Sequence, residues 1–158
     1  MTSDLFFLWM FLHILGAIAA FGFGFYAPIF GMASAKEPQH GNWYLRAAKR
    51  LSNVIIVPFA ILMFITGALL VQAGPTEWSA RWLSFAMVLY FIALGIVFVL
   101  QRPTLNKVIA ATSTPPGPDG PDPAVPGLVK RMQLYGVILL LLTLAILALM
   151  VWKPAFGA

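Results

Sequence analysis

One imidazole stands alone inside apolar sequence. His13 lies in Leu5–Gly31, a stretch without Asp, Glu, Lys or Arg, and His40 falls outside every such stretch. At ~1.5 Å per helical residue, His13 sits ~12 Å in from Leu5. A neutral imidazole at that depth hydrogen-bonds to Thr66, Tyr90, Thr143 or a backbone carbonyl, or it holds a metal or a planar cofactor. Haem is the cofactor that most naturally takes a lone His among packed helices. Met63 and Met87 are the sulfur donors within reach of a second axial position, although Met is also an ordinary filler of apolar cores. Arg81, at the outer boundary, could pair with a propionate or simply anchor a helix end at the interface.

Other chemistries are excluded by what is missing. The five carboxylates, Asp4, Glu37, Glu77, Asp119 and Asp122, all lie at the ends of the apolar stretches or between them. No acid–base pair, carboxylate proton relay or hard-cation cage can therefore form within them. The chain has no Cys, which removes disulfides, thiolate metal sites and thiol catalysis. A transition-metal site needs several convergent donors, and His13 has no second imidazole near it, so no metal is expected beyond a haem iron. An ion-coupled transporter needs polar, interrupted helices at mid-membrane, and Pro58 lies too near one surface to supply them.

The neighbours of His13 on a helix are small. Gly16, Ala17, Ala20 and Gly24 follow at +3, +4, +7 and +11, a stripe that lets another backbone approach closely or leaves room beside the ring. His13 is thus expected to point into a helix bundle.

The elements that must position it are four uncharged stretches, about 5–31, 54–73, 82–100 and 134–152. Each is long enough to cross a ~30 Å hydrocarbon core as a helix. With 61% hydrophobic and 9% charged residues among 158, the chain reads as one membrane domain with no room for a second. The fold class is all-α: a polytopic four-transmembrane-helix bundle.

Its net charge of +5 is explained by orientation rather than by nucleic acid. Lys36, Arg46, Lys49, Arg50, Arg102, Lys107, Lys130 and Arg131 fall in the first and third loops, against only Arg81 and Lys153 on the other side. That bias puts both odd-numbered loops in the cytoplasm and both termini in the periplasm. Trp9, Trp78, Trp82 and Trp152 gather at the outer boundary as an aromatic belt. Ala33-Ser34-Ala35 fits a leader-cleavage pattern, but the apolar run is too long and carries no basic start, so an uncleaved first helix is expected.

Between the spans, Asn42 is placed to cap a short basic amphipathic helix through Leu51 that lies along the anionic inner leaflet. Pro58 removes an amide early in span two, predicting a kink and a freed Val54 carbonyl. Gly74-Pro75-Thr76-Glu77 makes spans two and three antiparallel neighbours, and Arg102-Pro103 ends the third span. Thr112–Gly127, with six prolines and three glycines, is expected to be an extended, mobile linker.

The run Phe11-Leu12-His13-Ile14-Leu15-Gly16-Ala17 resembles the start of a large bacterial family of four-helix integral membrane proteins without assigned function. The basic stretch Arg46–Arg50, Pro58, the Thr66-Gly67 pair and Trp82 extend that resemblance over roughly Leu5–Ala110. More distantly, the first-helix His is similar to that of HemJ-type protoporphyrinogen oxidases, which bind b-type haem, and of copper-resistance protein D-like proteins. The HemJ resemblance implies that His13 is the haem ligand. This chain has neither the Lys that such oxidases carry in span three nor the Arg that follows their first span. One His with scattered Met offers too few donors for a copper path.

The expectation is a bacterial inner-membrane protein, non-enzymatic or at most redox-active. In one reading His13 binds b-type haem or a similar planar ligand. In the other the chain is an accessory subunit of a larger respiratory or photosynthetic membrane complex, or a homo-oligomer, packing through Phe-rich faces and the Gly16–Ala20–Gly24 stripe. A HemJ-like porphyrinogen oxidase comes third.

Overall fold

Among the described residues, six α-helices make up four units long and apolar enough to cross a membrane. The structure is a computed structural model and describes residues 3–113 and 122–154. Helix α1 (Ser3–Lys36) leads through a 3-10 turn at Pro38–His40 to α2 (Gly41–Leu51). Helix α2 continues through a π-helical segment, Ser52–Ile56, into α3 (Val57–Ala73). Helix α4 (Arg81–Gly95) likewise passes through a second π segment, Ile96–Gln101, into α5 (Arg102–Ala111), and α6 (Val125–Trp152) follows. Asp4–Phe25, Gly41–Ala73, Arg81–Ala111 and Val125–Trp152 are each long and apolar enough to span a membrane. No strand occurs among the described residues. The all-α, four-span class predicted from the sequence is the one found.

Pro58 and Pro103 each follow a π-helical segment. A proline inside a helix removes one N–H and crowds the carbonyl four residues back. Here Pro58 and Pro103 each stand at the second residue after a π segment, where the helix widens by one residue per turn. Val57 N–H donates to the Ser52 carbonyl and Arg102 N–H to the Val97 carbonyl, five residues back instead of four. In consequence Arg102-Pro103 does not end the third helical unit, which runs on to Ala111. Pro58 lies well inside a continuous unit beginning at Gly41.

Asn42 also differs from expectation. The residue before α2 is His40, with no side-chain cap, while Asn42 Nδ2 donates to the Ile109 carbonyl and to Thr112 Oγ1, each at 2.8 Å. It serves the far end of α5, whose last-turn carbonyls lack partners within the helix. Helix α6 begins at Val125, so the end of the Pro-rich linker is helical, with Pro126 in the first turn where a missing N–H costs nothing. Residues 114–121 of that linker lie outside the described residues.

Helix α1 packs most extensively on α3, and α4 on α6. Met63 of α3, Tyr90 of α4 and Ile146 of α6 form the shared core, with Ala17 and Phe21 of α1 against it. Spans two and three meet through rings: Phe64 stacks on Tyr90 at 5.8 Å and meets Phe91 edge-on at 5.6 Å. Many large apolar side chains face outward; Phe11 is 62% exposed and Ile18 65%. A water-soluble domain does not present such a continuous apolar exterior, and a lipid-embedded one does.

The Asn42 clamp generates the first prediction. Asn42→Ala, or Asn42→Asp, which lacks the donor, removes ~1 kcal/mol or more of local stability from the end of α5. Hydrogen exchange should accelerate at the Thr112 and Ser113 amides and stay unchanged within α3.

Candidate functional site

The site around His13 is a contact between two backbones. Gly16 makes it possible: a methyl group there would stand 3.0 Å from Met63 Cβ and 3.1 Å from the Phe59 carbonyl oxygen. One turn further along α3, Gly67 does the same for the imidazole. A methyl group at Gly67 would stand 3.0 Å from His13 Cε1 and 3.3 Å from Nδ1. Advancing three residues along α1, from His13 to Gly16, moves the contact back three along α3, from Thr66 to Met63. The helices are therefore antiparallel and in close register, as small residues at a membrane interface permit.

In that register His13 Nδ1 meets the Met63 carbonyl oxygen at 2.8 Å. A carbonyl only accepts, so the ring proton is on Nδ1 and the lone pair on Nε2. Thr66 Oγ1 lies 3.4 Å from the same nitrogen. Thr66 itself is fully buried and donates within α3, to the Leu62 carbonyl at 2.8 Å with a longer approach to Met63 at 3.2 Å. Nearer the start of α3, Tyr90 Oη donates to the Ala60 carbonyl at 2.9 Å. Helix α3 thus receives polar side chains from both α1 and α4 on its own backbone.

The candidate residues fall into distinct places. Met63 is beside His13, but it meets the ring through its carbonyl while its side chain is buried in the core with Tyr90 and Ile146. Met87 is half-buried on α4, next to the buried Ala86. Arg81 opens α4, exposed, at the end where the Lys153 ammonium lies 5.7 Å over the Trp82 ring. Of the small-residue stripe, Gly16 faces α3, Ala20 is buried, and a methyl group at Gly24 would stand an ordinary 3.9 Å from Leu140 of α6. Among the described residues no three His, Cys, Asp or Glu converge on one point.

Two participants are invisible as chemistry in the sequence. The Met63 acceptor is a backbone atom that every residue possesses. Gly67 is a platform defined by having no side chain. The signal available was the Thr66-Gly67 pair, at the same depth as His13 on the partner helix.

A family model for predicted integral membrane proteins, DUF2269, matches residues 7–154. The chain belongs to that family. The match takes in His13, the α3 contact and all four spanning units of this DUF2269 protein. No curated protein and no solved structure matches it.

Close packing at Gly67 sets the second prediction. Gly67→Leu forces α1 off α3 and breaks the His13 bond, costing about 1–3 kcal/mol. Gly95→Leu, where nothing lies within 4 Å, serves as the control. Thermal unfolding in detergent should drop for the first and hold for the second.

Proposed function

We propose that the chain is a membrane-embedded binding protein in which His13 offers Nε2 to a flat lipophilic ligand, b-type haem being the group its donor set fits best. One observation carries this reading. Nδ1 is committed to the Met63 carbonyl at 2.8 Å, and Nε2 has no hydrogen-bond partner among the described residues. A bare acceptor in hydrocarbon leaves its bonding capacity unmet. Histidines that ligate metals commonly anchor their other N–H on a carbonyl or carboxylate in this way, which fixes the tautomer and aims the free nitrogen. Haem brings four nitrogen ligands of its own, so a single protein donor suffices.

The packing restricts where such a ligand lies. Helices α1 and α3 touch at Gly16 and Gly67, so nothing flat fits between them there. The lone pair on Nε2 diverges from the Nδ1–H bond by the geometry of the ring, so the ligand lies away from the Met63 carbonyl. With the Met63 side chain in the core, Met87 and Arg81 are the remaining residues that would help His13 hold such a group. Bound haem would supply a one-electron couple and His13 would orient it; no carboxylate lies within the uncharged stretches to act as a general acid or base.

A second reading, an accessory subunit of a larger membrane complex, draws on one feature. Phe7, Phe11, Ile14 and Ile18 form an outward ridge along α1, each more than half exposed. Stoichiometric partner chains on purification would favour it.

The reading places the bundle in a bacterial inner membrane with its basic end inward, supported by eight of ten Lys and Arg residues in the first and third loops. A topology reporter inserted within Thr112–Gly127 should register cytoplasm, and a periplasmic signal would reverse the orientation. For the ligand, protein purified from haem-replete cells should carry a Soret band that disappears in His13→Ala. A colourless wild-type preparation would contradict haem binding.

A further inference from the structure

We propose that the basic end of the bundle holds the phosphate of an anionic phospholipid in the depression between α2, the Ser52–Ile56 segment and α5. The depression has a volume of 440 Å³ and is lined by Arg46, Lys49, Arg50, Asn53, Val54 and Ile109. Three of the six are cationic at neutral pH and none is acidic.

These cations are uncompensated. Arg46, Lys49 and Arg50 make no ion pair or hydrogen bond among the described residues. Glu37, the acidic residue nearest in sequence, is engaged with His40 at 3.1 Å instead. Arg46 and Arg50 are one turn apart on α2, a like-charge spacing that destabilises a helix unless a counter-charge sits between them. Arg102 adds a fourth cation at the rim. Its guanidinium donates to Asn53 Oδ1 and lies 4.8 Å over the Phe98 ring. Asn53, which accepts that bond, itself lines the depression.

The location selects a lipid over a soluble anion. After Arg50 the chain carries no charge until Glu77, so this cluster stands where the helix enters hydrocarbon, at the depth of headgroup phosphates. Val54, 64% exposed, carries the same surface into the apolar zone, where the acyl chains of a lipid held by its phosphate would run. A free phosphate would meet the cations but leave that apolar wall uncovered. The site shares no residue with the His13 contact and does not depend on it.

The test is native mass spectrometry of the full chain released from nanodiscs of phosphatidylcholine containing phosphatidylglycerol. The wild type should retain phosphatidylglycerol in preference to phosphatidylcholine. R46Q/K49Q/R50Q should weaken that retention about a hundredfold, and R50Q alone about fivefold, at roughly the worth of one basic residue at a membrane surface for each charge. K130Q/R131Q removes two charges near the start of α6 and should leave retention unchanged. Helical circular dichroism checks that each variant is folded, and R50Q decides the matter if the triple variant is not. Equal weakening in K130Q/R131Q and in the α2 variants would show general attraction rather than a site and overturn the proposal. Displacement of the lipid by millimolar inorganic phosphate would overturn it in favour of a free anion.

Discussion

The arrangement depends on how closely α1 approaches α3. In lipid there is no hydrophobic force to press helices together, because acyl chains are as apolar as leucine. Specific packing must come from dispersion between near backbones and from polar bonds that have no water to compete with them. Gly16 and Gly67 supply the first, and the His13–Met63 bond supplies the second. Each requires the other: a side chain at either glycine moves the ring away from its carbonyl. A bond of this kind is worth ~1–2 kcal/mol at most. Its larger effect is on register and tautomer.

Helix α3 is the common acceptor. Its Met63 carbonyl takes His13 from α1 and its Ala60 carbonyl takes Tyr90 from α4, while Thr66 closes on its own helix. His13 and Tyr90, from the two neighbouring spans, thus each bond to this backbone, whereas the buried Gln101 Oε1 has no partner among the described residues. The two ends of the bundle differ in the same physical terms. One carries Trp82 with Lys153 over its ring, and the other a group of Arg and Lys side chains around α2 and α5.

Much of this was legible in the residues. Four uncharged stretches give the spans because hydrocarbon tolerates little else, and Gly16 beside His13 gives an inward-facing ring because an outward one is costly. A backbone carbonyl is among the partners the sequence allows that ring. What could not be read was which carbonyl, since acceptors on the main chain leave no mark in sequence. Pro103 misleads for a related reason. Pro103 signals a helix end by local rules, but outside water a freed carbonyl has no solvent partner, and a π turn that keeps the helix intact is the better solution. Asn42 was misread because its cap is served in space, on α5, rather than along its own helix.

The most direct measurement of the central contact is ¹⁵N NMR of histidine-labelled protein in lipid, with His40→Gln used to isolate the signal of His13. The account predicts a neutral ring whose proton resides on Nδ1, coupled across a hydrogen bond to the Met63 carbonyl. A proton found on Nε2, with Nδ1 bare, would contradict it.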